Sequence, residues 1–105
     1  MRKKKQRSID KRKLHKECWD LDWAFVKWLQ QHLIVFKKDA SKMVDLEYYK
    51  FEYKGEELTQ LQIIDRLIRL TTEVIVAYDL WDETCLKQLD EILDLWKLVF
   101  PVMWW

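Results

Sequence analysis

At 105 residues the chain is long enough for one domain with a single core and too short for two. A single glycine excludes a glycine-rich phosphate loop, and one glycine with one proline favours long helices over a many-stranded β fold. The net charge of +1 hides an asymmetry: residues 1–16 carry nine Lys/Arg against Asp10, a net +8, while the remainder is −7. A basic arm on an acidic body suits contact with a nucleic acid, a phosphorylated ligand or a neighbouring subunit's acidic face; a solvated tail has the same composition. Seven tryptophans exceed what a core of this size uses, and such rings are common at interfaces and ligand platforms.

In chain order, residues 1–16 read as the basic N-terminal arm, helical near its end, and residues 17–105 as a single helical domain. A first helix is expected from an N-cap at Asp20 to about Lys38, with Leu21, Phe25, Trp28, Leu29, Leu33 and Phe36 on one apolar face. A second, mixed stripe holds Trp19, Trp23, Lys27, Gln30 and Ile34. After a connector at 39–47, Tyr49, Phe51 and Tyr53 alternate with Lys50 and Glu52, and the lone Gly55 follows, which predicts a short β-hairpin. Thr59-Gln60-Leu61-Gln62 matches a capping box and opens a second helix, with Ile63, Ile64, Leu67, Ile68, Thr71, Val74, Ile75 and Tyr78 on its buried face. Asp82 is expected to cap a third helix that ends before Pro101, with Leu86, Leu89, Ile92, Leu93, Trp96, Val99 and Phe100 as its apolar face. Glu83, Lys87, Asp90, Glu91 and Asp94 form its polar back. The expected fold is mainly α: a three-helix bundle-like domain with a short β-hairpin and a basic arm, assembled into an oligomer.

Catalytic chemistry finds little support. His15 and Cys18 lie three apart, but no second ligand pair accompanies them, so a zinc site is not expected. His32 reads as a core histidine with a satisfied hydrogen bond, and nothing in the sequence supports its pairing with Cys85. The carboxylates of the third helix are interspersed with lysine, as on a solvated face. No enzyme, cofactor or metal is expected. No stretch reads as a signal peptide or a membrane span, and two unpatterned cysteines fit a reduced cytoplasm.

Binding surfaces are better represented. Trp19 and Trp23 beside Lys27 offer aromatic faces near a cation, suited to stacking a purine and holding its phosphate, or to a helix–helix seam. Trp104 and Trp105 present the same choice. Arg66 and Arg69 suit phosphate oxygens, although Asp65, four residues before Arg69, is placed for a local ion pair. Arg12 and Lys13 of the arm complete the candidate phosphate contacts. Asp22 is a candidate for ligand hydroxyls, with bracing of the helix start as its alternative role.

Glu17-Cys18-Trp19-Asp20-Leu21-Asp22, the block Phe51-Glu-Tyr-Lys-Gly-Glu-Glu-Leu-Thr-Gln-Leu-Gln62, and Leu95-Trp96-Lys97-Leu98 with Pro101–Trp105 resemble a family of small bacteriophage and prophage proteins. That family carries a basic arm, Trp-x-Leu-Asp and a long amphipathic helix; its arm is often richer in glycine than this one. The resemblance implies a non-enzymatic protein of the host cytoplasm that acts against host defence by binding. The expected form is a homo-oligomeric sponge that sequesters a nucleotide-derived immune signal. A protein-binding inhibitor of a host or defence enzyme is the alternative, and nucleic-acid binding through the arm a second alternative, with no membrane partner. The acidic body counts against the last of these.

Overall fold

The computed structural model describes residues 11–77 and 82–104. Along the chain come α1 (Lys11–Trp19), α2 (Leu21–Ala40), β1 (Lys50–Tyr53), β2 (Glu56–Thr59), α3 (Gln60–Ala77) and α4 (Glu83–Val99), then a short 3₁₀ turn, Phe100–Val102. The protein is mainly helical with one two-stranded antiparallel hairpin. Arm residues 1–10, Tyr78 and Trp105 lie outside the described residues.

Local chemistry sets the element boundaries. In the capping box, the Thr59 N–H donates to Gln62 Oε1 at 2.8 Å and the Gln62 N–H donates to Thr59 Oγ1 at 3.1 Å. Each side chain thereby satisfies a backbone donor left over at the start of α3. Asp82 caps α4 by accepting the Thr84 N–H at 3.0 Å. The hairpin pairs Lys50 with Thr59 and Tyr53 with Glu56. Its two-residue turn, Lys54-Gly55, has φ of 51° and 80°, the pair of positive values that matches the strands' twist.

The start of α2 differs from expectation in its chemistry. Asp20 occupies the N-cap position but makes no side-chain cap bond. Instead the Asp22 carboxylate accepts the Trp23 N–H at 2.8 Å, a role that also places its charge against the positive end of the helix. The arm and body are not separated by a break at residue 16, because α1 runs across that point to Trp19. Trp19 therefore ends α1 and does not extend the mixed stripe of α2.

α2, α4 and β2 all pack against α3. The core joins Val26, Leu29, Leu33 and Ala40 of α2 to Ile63, Ile64, Leu67, Leu70 and Val74 of α3, and to Ile92, Leu95 and Val99 of α4. Leu46 and Leu58 close its hairpin end. At about 2 kcal/mol for each buried aliphatic, the five on α3 outweigh the exposed ion pairs on its outer side, worth at most about 1 kcal/mol each. Thr71 is buried at no polar cost, since its hydroxyl donates to the Leu67 carbonyl at 2.7 Å.

Two helix faces are narrower than expected. On α2 only Leu29 and Leu33 of the anticipated set are buried; Phe25 and Phe36 are half-buried, and Leu21 and Trp28 are exposed. His32, expected in the core, is exposed as well. On α4, Leu86, Leu93 and Phe100 are exposed, and Cys85 and Leu95 take the buried positions. The physical reason is shared: each helix meets α3 along one line of contact, which covers less than the broad stripe drawn by periodicity. On α3 the described residues of the anticipated face, Ile63 to Ile75, are buried or half-buried, with Leu70 added.

The Tyr53 hydroxyl is buried with no hydrogen-bond partner among the described residues. Tyr53→Phe should therefore raise unfolding stability by about 1 kcal/mol, whereas Thr59→Ala should lower it by about 1 kcal/mol through loss of the cap. Urea unfolding of the two variants checks these opposite signs.

Candidate functional site

Helical spacing assembles a mixed aromatic and charged groove between α1 and α2. On α1, Lys13, Lys16 and Glu17 fall at i, i+3 and i+4 and share one face. On α2, Trp23, Lys27 and Trp28 follow the same rule from Asp20 onward, and the stripe continues to Gln31 and His32. This stripe is turned away from the line of Val26, Leu29 and Leu33 that meets α3. Together these residues line a groove of about 570 Å³.

The groove has defined side-chain order. The Lys27 ammonium lies 4.6 Å from the centroid of the Trp23 ring. Trp28 stacks on His32 with centroids 4.3 Å apart and a 27° interplanar angle, and Phe25 lies near-parallel to Trp28 with centroids 6.4 Å apart. His32 Nδ1 lies 2.7 Å from the Trp28 carbonyl oxygen. A carbonyl only accepts, so Nδ1 carries the proton and Nε2 is the ring's remaining polar atom. Three lysines and two carboxylates line the groove, a formal excess of one positive charge.

Of the residues singled out from sequence, Lys13, Trp23 and Lys27 meet in this groove. Arg12 lies beside it, bounding a shallow recess with Lys11, His15 and Lys16. Trp19 is 73 % exposed and sets its ring edge-on to His15 at 5.4 Å. Asp22 holds the Trp23 amide and does not line the groove; Glu17 and Asp20 supply its carboxylates. Trp104 lines a different recess beside the hairpin.

Arg66 and Arg69 lie on α3 among acidic partners. Arg66 reaches Glu56 of β2 at 3.2 Å and Glu91 of α4 at 3.7 Å, and Arg69 pairs with Glu73 at 3.4 Å. Asp65 does not pair with Arg69: it bonds Lys37 of α2 at 2.7 Å. The Arg66 and Asp65 pairs tie β2, α4 and α2 to α3, whereas Arg69–Glu73 lies within it; neither arginine lines the α1–α2 groove.

Lys16, Glu17, Asp20, Trp28 and His32 are groove residues that the sequence reading did not assign. Their signal was present in the spacing 13, 16, 17 and 20, 23, 27, 28, but dividing the chain into an arm and a domain at residue 16 cut the pattern in two. Among the described residues no group of three or more His, Cys, Asp and Glu is placed to hold a metal ion. Cys18 is exposed and Cys85 buried, and neither forms a disulfide among the described residues.

A second, apolar recess of about 290 Å³ lies between α2 and α4, bordered by Trp28, Val35, Phe36, Trp96 and Met103 over Leu29 and Leu33. Phe100 meets Trp96 edge-on at 5.2 Å. No Lys, Arg, Asp or Glu lines this recess. Among the described residues no helix is long and apolar enough to cross a membrane. No protein-family model matches the chain, and comparison with curated proteins and with solved structures gives no match.

Proposed function

We propose that the protein is a non-enzymatic binding protein that holds a nucleotide-type ligand in the α1–α2 groove. The observation that carries this reading is the meeting of Trp23, Trp28 and His32 with Lys13, Lys16 and Lys27 around one cavity. A base takes the face of Trp23 that Lys27 covers, and the lysine turns to the phosphate. The exchange is favourable: an exposed cation–π contact is worth about 0.5–1 kcal/mol, base–aromatic stacking about 1–3. The Lys27 contact with phosphate adds a charge-assisted bond of about 1.5–3 kcal/mol. Glu17 and Asp20 suit ribose hydroxyls and oppose a high negative charge. The ligand class is therefore a nucleotide with one or two phosphate charges, in preference to a triphosphate or a long nucleic acid.

In the setting that the sequence resemblance supplies, this binding sequesters a nucleotide-derived immune signal in the host cytoplasm, and the protein is a phage anti-defence sponge. It acts as a homo-oligomer, joined through the apolar recess between α2 and α4 and the exposed Val35, Leu93 and Phe100 around it. The same uncharged surface supports a second reading, a protein-binding inhibitor of a host or defence enzyme, in which that enzyme covers the recess.

Calorimetry against cyclic and linear adenine nucleotides tests the ligand. Singly or doubly charged members should bind, Lys27→Ala should weaken them about tenfold, and no heat from any member contradicts the sponge. Light scattering on a sizing column tests assembly. The wild type should elute as an oligomer and Val35→Glu as a monomer; a monomeric wild type removes the self-association and favours the inhibitor.

A further inference from the structure

The recess beside the hairpin has the opposite character from the α1–α2 groove. Tyr48, Tyr49 and Trp104 surround a cavity of about 290 Å³, with Asp45 on its wall and Gln60 at its base. No lysine or arginine lines it. The two tyrosine rings stand almost perpendicular, 86° at 5.1 Å, so one presents its face where the other presents its edge. The Trp104 indole is fixed by its N–H, which donates to the Pro101 carbonyl at 3.2 Å.

One buried residue holds both walls. Gln60 is 3 % exposed. Its backbone N–H donates to the Tyr49 carbonyl at 3.0 Å, and its side-chain Nε2 donates to the Val102 carbonyl at 3.2 Å. The tyrosine wall and the tryptophan wall are thus tied to the first turn of α3, and the cavity is set before any ligand arrives. Asp45 is also positioned: its Oδ1 accepts the Glu47 N–H at 2.9 Å, leaving Oδ2 for a cation.

We propose that this recess binds a quaternary ammonium group carried by a small molecule. Aromatic faces attract a cation through their quadrupole, and a fully methylated ammonium sheds water more readily than a bare one, because it has no N–H to leave unpaired. A single carboxylate matches its single charge. The cavity lies at the small end of ligand sites, which suits a compact head group better than a nucleotide. This site is separate from the α1–α2 groove and shares none of its residues.

Choline titrated into ¹⁵N-labelled full-length protein tests the proposal. The Trp104 indole N–H resonance, assigned with Trp104→Phe, should shift and saturate with a Kd of about 1 mM. Trp104→Ala and Tyr48→Ala, both at well-exposed positions, should each weaken binding about tenfold, read on the Tyr49 and Gln60 backbone amides, with the remaining resonances in place. The uncharged isostere 3,3-dimethylbutan-1-ol should bind at least about tenfold more weakly than choline. Equal binding of the isostere overturns the proposal, as does no shift at about 50 mM choline. A trimethyllysine peptide that binds where choline does not also overturns it, by making the ligand a protein.

Discussion

The contact of α3 with its neighbours governs the rest of the molecule. α2, α4 and β2 all pack on that one helix, whose start is fixed by the Thr59–Gln62 capping box and by Gln60. Since α2 buries only Val26, Leu29, Leu33 and Ala40, much of its circumference is left for other work. One part faces α1 and forms the charged groove; another borders α4 and forms the apolar recess. Trp28 and His32 line both cavities. The smallest dimension of the molecule, 19 Å, is roughly two helix diameters. A body two helices thick has no third layer to cover the aromatic residues on the outer side of α2.

Features that depend on neighbours a few residues apart were legible in the sequence. The capping box, the Asp82 cap, the turn at Gly55 and the stop before Pro101 all rest on contacts within four positions. The buried face of α3 was legible too, because that helix is covered broadly and its periodicity has a single meaning. α2 was harder to read. Three surfaces share its twenty residues, and a pattern that sums them shows neither the true core line nor the groove. His32 was placed in the core by spacing alone, and the structure sets it on the exposed side, stacked on Trp28.

The charged residues show the same limit. A favourable i,i+4 partner existed for Arg69 on either side of it, Asp65 or Glu73, and the choice was made by Lys37 of α2, which takes Asp65. Only the tertiary fold brings those two together. From composition the basic arm reads equally as an anion-binding segment and as a solvated tail. Once Lys11–Trp19 form a helix against α2, its lysines at 13 and 16 become one wall of a cavity. Asp22, considered for ligand hydroxyls, accepts the Trp23 amide at the helix start, and the carboxylates that line the groove are Glu17 and Asp20.

The two recesses differ in the charge of their linings. The α1–α2 groove combines three lysines with two carboxylates and three aromatic rings, and the hairpin recess combines three aromatic rings with one carboxylate and no base. The central claim is that nucleotide recognition belongs to the first of these. Its most direct test is a crystal structure of the protein with the tightest-binding adenine nucleotide. The account predicts a base against Trp23 and a phosphate on Lys27 with Lys13 or Lys16. A ligand held by Arg66 and Arg69 on α3, with the α1–α2 groove empty, would contradict it.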